Sequence, residues 1–269
     1  MTAILTLLII ASVIVVAIYF PAWRRQFILR KPFPAEWLAI VKNRISFYEK
    51  LSTDEQSQLQ EMIRLFLAGK KFYGCNGLQL NDDIRVTIAA EACLLLLNRN
   101  TGIYPRLKHI LVYPDAFQAN HPSYNPDGTV VQGSQGLLGE SWHHGKIILS
   151  WDDVRHGAAN IHDGHNVTLH EFSHQLDSED GISDGTPILP KNAYQSWAKV
   201  LSHEYQELQD DMHNHHRSVM DYYGATNPAE FFAVATETFF EKPAQLQKKH
   251  PELFAELQKV YRVNPINWQ

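Results

Sequence analysis

The apolar positions of this chain follow two regimes. Residues 2–20, TAILTLLIIASVIVVAIYF, form an apolar run without a single charged side chain. As a helix, about 19 residues rise by roughly 28 Å, enough to cross the hydrocarbon core of a bilayer. Beyond that run the pattern becomes periodic. From about Glu36 to Leu67 apolar residues recur at helical spacing, with a break near Ser52-Thr53-Asp54-Glu55. There Ser52 and Glu55 make an S-x-x-E capping box that opens a second helix. Further helices are predicted from about Ile84 to Leu97, from Tyr194 to Met212, and from about Pro228 to Phe240. Leu107–Tyr113 and Gly145–Trp151 are rich in β-branched residues and read as strands, and Phe72–Asp83 reads as a turn with a short extended piece. The polar stretch from Pro114 to about Gly139 is expected to be a surface loop. The sum is an α+β fold, mainly helical, with a small sheet.

The flanks of the apolar run decide how it is read. A secretory signal would carry a Lys or Arg ahead of the run and a small-x-small cleavage site after it, and neither is present. The run ends instead in Phe20-Pro21-Ala22-Trp23-Arg24-Arg25, with Arg30 and Lys31 close behind. Interfacial aromatics followed by basic residues predict a retained anchor whose C-terminal flank is cytoplasmic. The expected organisation is a transmembrane anchor over residues 1–23, a basic, Pro-containing linker over 24–37, and a folded domain over 38–269. The protein is then a single-pass inner-membrane protein with its domain in the cytoplasm. A net charge of −5 and the lack of a basic tract argue against direct nucleic-acid binding. Cys75 and Cys93 are the only cysteines and form no C-x-x-C pair, which fits a reducing compartment and excludes a cysteine-built metal site.

The densest chemistry lies in NVTLHEFSHQLD, residues 166–177, which contains His170-Glu171-Phe172-Ser173-His174. On a helix, residues four apart sit about 40° from one another around the axis. Two imidazoles at that spacing can converge on one metal ion, and the intervening Glu171 can reach its water. A catalytic zinc commonly takes a third protein ligand, and four carboxylates compete for the role. Asp180 lies six residues past His174, but the glycine that such a turn favours is replaced by Asp177. Glu237 and Glu241 lie on the predicted helix after Pro228, and Glu230 lies at its start. Two readings of Glu230 stand side by side. Asn227 as cap, Pro228 as first residue and Glu230 as third would give the glutamate a local capping job. Alternatively, Phe231 and Phe232 dock the helix on the core and deliver Glu230 to the metal. Asp177 is read either as orienting an imidazole or as a turn residue, and DSEDGISDG, residues 177–185, as a turn rather than a calcium loop.

His170-Glu171-x-x-His174 followed by Tyr223-Gly224-Ala225-Thr226-Asn227-Pro228-Ala229-Glu230-Phe231-Phe232-Ala233 closely resembles the Mlc titration factor A family of zinc-dependent peptidases. FYGCNGLQLNDD, IAAEACLLLL, IILSWDDV and GHNVTLHEFSHQLD extend the likeness over nearly all of the chain after the apolar run. The block from Tyr223 to Ala233 also resembles, more distantly, the catalytic domain of anthrax lethal factor. The resemblance implies a zincin-like metallopeptidase domain with one catalytic Zn2+ bound by His170, His174 and Glu230. It implies Glu171 as general base, Tyr223 facing the scissile carbonyl, and peptide or protein substrates with aminopeptidase-like activity. It also implies a transcriptional-repressor partner of the Mlc type. The best-known members of that family lack an anchor, which is where this chain departs from the pattern. Read from its residues alone, Tyr223, seven residues before Glu230, is either a hydrogen-bond donor to a developing oxyanion or a packed aromatic beside Tyr222. The competing function is a non-catalytic partner-binding protein that retains a zinc site.

Overall fold

The computed structural model describes residues 2–99, 101–115, 123–124, 130–131 and 145–269. The expected loop over 114–139 therefore lies outside the described residues, apart from Pro114, Asp115 and a short antiparallel ladder of β3 (Ser123–Tyr124) with β4 (Val130–Val131). The first helix, α1 (Thr2–Leu29), runs past the expected end of the anchor through Arg24 and Arg25. The next, α2, begins at Ala35, so the non-helical joint is confined to residues 30–34. Arg24 donates from Nη2 to the Ala68 carbonyl at 2.6 Å and Arg25 pairs with Glu61 at 3.2 Å, tying the end of α1 to α3 (Thr53–Gly69).

Each core helix has an identifiable start. In α3 (Thr53–Gly69) the expected capping box is present: Ser52 Oγ accepts from the Glu55 N–H at 3.2 Å, and the Ser52 N–H donates to Glu55 Oε2 at 2.9 Å. In α4 (Asp82–Leu94) Asn81 Oδ1 accepts from the Ile84 N–H at 2.9 Å. Residues 86–94 of α4 are buried on every side, as expected of a helix that is apolar all round. The sheet is β1 (Lys71–Gly74), β2 (His109–Tyr113) and β5 (Lys146–Ser150), all parallel with β2 in the middle. Ile110 stands opposite Ile147 and Val112 opposite Leu149, and these four point into the core.

The strand β5 passes straight into α5 (Trp151–Ala159), capped by Ser150. Trp151, expected at the end of the strand, is thus the first residue of a helix, and Asp152 and Asp153 fill its first turn. Carboxylates there complement the positive end of the helix dipole. The helix α6 (Val167–Asp177) follows and lies between α4 and α8 (Pro228–Glu241). Phe172 projects from α6 into an aromatic cluster, 4.9 Å from the Tyr104 ring centroid and 5.7 Å from that of Phe66. Burial of this kind is worth about 3–5 kcal/mol against truncation to alanine. The outer layer is α7 (Tyr194–His213), α9 (Pro243–Lys249) and α10 (Pro251–Tyr261).

Candidate metal centre

The start of α6 is fixed by one side chain that the motif does not include. Asn166 caps the helix, its Oδ1 accepting from the Leu169 N–H at 3.0 Å. Its Nδ2 donates to Glu91 Oε1 of α4 at 2.9 Å, and its backbone N–H donates to Glu237 Oε2 of α8 at 2.7 Å. Three helices are thereby locked in register at one residue. The other end of α6 is held by Asp177, whose carboxylate accepts from the backbone N–H groups of Gly185 (3.0 Å) and Thr186 (2.7 Å). Gly185 has φ +82°, and a Cβ there would stand 2.4 Å from the Pro228 carbonyl oxygen. The 177–185 stretch is thus a turn pressed against the first residue of α8. Of the two readings of Asp177, the turn is the one the contacts support.

Between these fixed ends, His170, Glu171 and His174 are all buried. The imidazole rings of His170 and His174 meet edge to face at 4.9 Å, with their Nε2 atoms 3.2 Å apart. Glu230 completes the cluster: its Oε2 lies 2.9 Å from His170 Nε2 and 3.4 Å from His174 Nε2. Glu230 keeps the local place at the cap and also faces the cluster. Its backbone N–H donates to the Asn227 Oδ1 cap at 3.0 Å, while its carboxylate turns to the histidines. Two imidazole nitrogens and a carboxylate oxygen within 4.8 Å of one another form a set that can hold a metal ion.

The three other carboxylates named as rivals go elsewhere. Asp180 is exposed, and its Oδ1 accepts from the Ile182 N–H at 2.9 Å. Glu241 accepts from the Gly164 N–H at 2.9 Å. Glu237 stands behind the cluster, where its Oε1 accepts from His170 Nδ1 at 2.5 Å. That bond orients the ring and leaves Nε2 as the nitrogen presented to the cluster. Sequence reasoning offers Glu237 only as a rival third ligand; its seven-residue spacing from Glu230, two helical turns, is the signal that both share a face of α8. A second group, His203, Glu204 and Glu207 on α7, also brings candidate ligands together. Its Glu204 is already engaged by His250 Nδ1 at 2.6 Å, and its other two members are exposed.

The charge states follow from these neighbours. Burial pulls the pKa of His170 down, but Glu237 and Glu230 outweigh it and hold the ring well above its ordinary value. Burial lowers His174 to about 4. Burial pushes Glu230 up, yet hydrogen bonds from both histidines prevail and hold it at about 2. A metal ion entering this set must displace a proton from His170 and meets a carboxylate that is already ionised. Tyr223 lies at the rim on the 3₁₀ turn Tyr222–Ala225, its ring 5.9 Å from that of His170. Burial, and then the charges of Glu230 and Glu171, push its hydroxyl to about 12, so it remains a donor at neutral pH. Beside it opens a cleft of about 310 Å³ lined by His156, His165, His170, Asp221 and Tyr223.

Comparison with known proteins bears on this arrangement. Over 247 residues the chain is 45% identical to an uncharacterized protein of Synechocystis sp., an alignment covering 91% of this chain and 90% of that one. It is 30% identical over 240 residues to Mlc titration factor A of Pectobacterium atrosepticum, covering 87% of this chain and 89% of that one. Mlc titration factor A of Klebsiella pneumoniae is 30% identical over 219 residues, covering 80% and 82%. The model of the glucose-regulated metallo-peptidase M90 family matches residues 20–262, a span that omits most of the apolar run and takes in the whole of α6 and α8. By that match the chain belongs to the glucose-regulated metallo-peptidase M90 family.

Proposed function

We propose that this protein is a zinc-dependent peptidase of zincin-like type, with His170, His174 and Glu230 as ligands of one Zn2+. The observation that carries the reading is the triangle of donor atoms, with edges of 2.9, 3.2 and 3.4 Å. Zinc bonds of about 2.0–2.1 Å in tetrahedral array separate ligand atoms by roughly 3.3–3.4 Å, close to what these side chains already adopt. Bound there, zinc supplies a water acidified to a pKa of about 7 and a Lewis acid for the substrate carbonyl.

The chain's own residues do the rest. Glu171, buried between the two histidines on α6, accepts the water's proton and passes it to the departing amine. Tyr223 keeps its hydroxyl proton and donates a hydrogen bond to the oxyanion that develops on the carbonyl. Glu237 holds His170 in the tautomer that offers Nε2. The strand β5 has β2 on one side and, among the described residues, no strand on the other. It is therefore an edge on which an extended peptide can pair next to α6. The substrate is taken to be a peptide or protein segment, with aminopeptidase-like cleavage. The same reading takes α1 as a membrane anchor, since the helix over residues 4–29 holds an apolar stretch long enough to cross a bilayer, and its basic end, Arg24 and Arg25, puts the domain on the cytoplasmic side.

The relatives named Mlc titration factor A suggest a second role, binding of an Mlc-type repressor, with the metal site as scaffold. Glu171 favours catalysis over that alternative, because a structural site needs ligands but no buried base. In Glu171→Gln, bound zinc should stay stoichiometric by elemental analysis while cleavage of a peptide library falls by about 10²–10⁴. Equal cleavage by parent and variant would leave the partner-binding role standing alone. Tyr223→Phe should lower kcat by on the order of 10²–10³ with zinc content unchanged.

A further inference from the structure

A cavity of about 730 Å³ lies far from the histidines, at the other side of the sheet's first strand, and none of the cluster residues lines it. It opens where α1 ends, against α3, β1 and the start of α4. One wall is apolar, made by Phe27, Trp37, Leu67 and Phe72. The rim is cationic although the chain as a whole carries −5. Two of the rim cations are committed to the protein. Arg64 donates to the carbonyls of Leu29 and Lys31, and Lys70 Nζ donates to those of Ile103, Tyr104 and Leu107 at 2.6–2.9 Å. The remaining three, Lys31, Lys71 and Arg85, are exposed and have neither a hydrogen-bond acceptor nor a carboxylate partner among the described residues. Asp82, the only acid in the lining among the described residues, already accepts from Trp37 Nε1 at 2.8 Å.

The position of this cavity says what kind of anion it suits. As a helix of 28 residues, α1 is roughly 42 Å long, whereas the hydrocarbon core is about 30 Å thick. Its last two turns must therefore stand in the headgroup layer. Phe20, Trp23 and Phe27 form a ladder of rings 5.8 and 5.6 Å apart along that end, as aromatic side chains do at a membrane interface. A soluble anion would use the three cations but not the apolar wall. A phospholipid uses both.

We propose that this cavity binds one anionic phospholipid, its phosphate and headgroup between Lys31, Lys71 and Arg85 and its upper acyl carbons against Phe27, Leu67 and Phe72. The bound lipid would cement the domain to the end of α1 and set its height above the membrane. This proposal rests on α1 lying in a bilayer.

The full chain, stripped of lipid in dodecyl maltoside, can be titrated with phosphatidylglycerol or phosphatidylcholine and followed by native mass spectrometry. One phosphatidylglycerol per chain should be retained at concentrations where phosphatidylcholine is not. Lys71→Gln combined with Arg85→Gln should weaken phosphatidylglycerol binding on the order of 20-fold, about fivefold per interfacial cation. Lys248→Gln with Lys249→Gln, on the exposed α9, should bind as the parent does. Equal retention of the two lipids, an unaffected Lys71/Arg85 variant, or an equal loss in the α9 variant overturns the site. Displacement by inorganic phosphate alone overturns the lipid in favour of a soluble anion. Flotation on phosphatidylcholine vesicles separates the premise from the proposal. A chain that does not float loses both, and one that floats without preferring phosphatidylglycerol loses only the lipid site.

Discussion

Glu230 and Glu241 stand about three turns apart on the same helix, α8, and both are shielded from water, yet their carboxyls are driven in opposite directions. At Glu230 burial is overcome by two imidazoles that donate to it, and the group is held at about 2. At Glu241 burial prevails over a hydrogen bond from Asn166, and the neighbouring acids Asp163, Glu237 and Glu91 add to it, so the group rises to about 8. Glu91, on α4 behind the same asparagine, is raised by burial to about 7. One end of α8 therefore offers a fixed negative charge to a cation. The other end is a packed acid, kept neutral at physiological pH by the residues around it. What a buried glutamate does here is decided by the group it faces, not by its helix or its exposure.

The sharpest way to break that comparison is to remove each end in turn. Under the proposed ligand set, Glu230→Ala removes one of three donors and leaves the two histidines. Its metal affinity should fall by more than the roughly 100-fold that a supporting residue accounts for, and peptide cleavage should fall to background. Glu241→Gln should keep its metal. Elemental analysis of both variants after dialysis checks the pair. Equal metal loss at the two positions would mean that α8 acts on the site only through folding.

Glu237 lies between the two ends and touches both sets, through Oε1 to His170 and through Oε2 to the Asn166 N–H. A glutamine can keep one acceptor but not two, so one of these bonds is lost in Glu237→Gln. Metal affinity should weaken about 10- to 100-fold, as for other residues that orient a ligating histidine. Competition with a calibrated chelator measures it. Affinity equal to the parent's would show that the α6 cap, not Glu237, positions the ring.

How much of this could be read beforehand follows the range of the interactions. Ser52 with Glu55 and Asn227 with Pro228 are local devices, and both open helices where their spacing placed them. His170 and His174 share a helix face by arithmetic alone. Glu230 could be named as a rival but not chosen from its neighbours, because its partners lie 56 and 60 residues away (230 − 174 and 230 − 170). Asn166 went unmarked for the same reason: its two further contacts come from α4 and α8, and only the fold brings them together. The helix α5 is missing from the predicted elements because Asp152 and Asp153, just after a strand, look like turn residues. Ser150 as cap turns the same two carboxylates into the first turn of a helix.

The smallest expected effect tests the back of α8 by pH. The folded pKa of Glu241, about 8, lies above its ordinary value of 4.5. Below pH 4.5 the folded and unfolded chains both hold the proton, and the group costs nothing. Between 4.5 and 8 the unfolded chain releases it while the folded chain retains it, so this group's contribution to stability is lost as pH rises. Glu91 and Asp177, raised to about 7 and about 6 by burial, act in the same direction. Glu230, held at about 2, acts in the opposite one, losing stability as pH falls. Glutamine at 241 keeps an acceptor for the Gly164 N–H and has no proton to lose. Without added metal, the Tm of Glu241→Gln should exceed the parent's by more at pH 8.5 than at pH 5. Thermal unfolding of both proteins across that range reads the difference directly. Parallel curves would mean that Glu241 is ionised in the fold, and that the contrast with Glu230 is one of position rather than of charge.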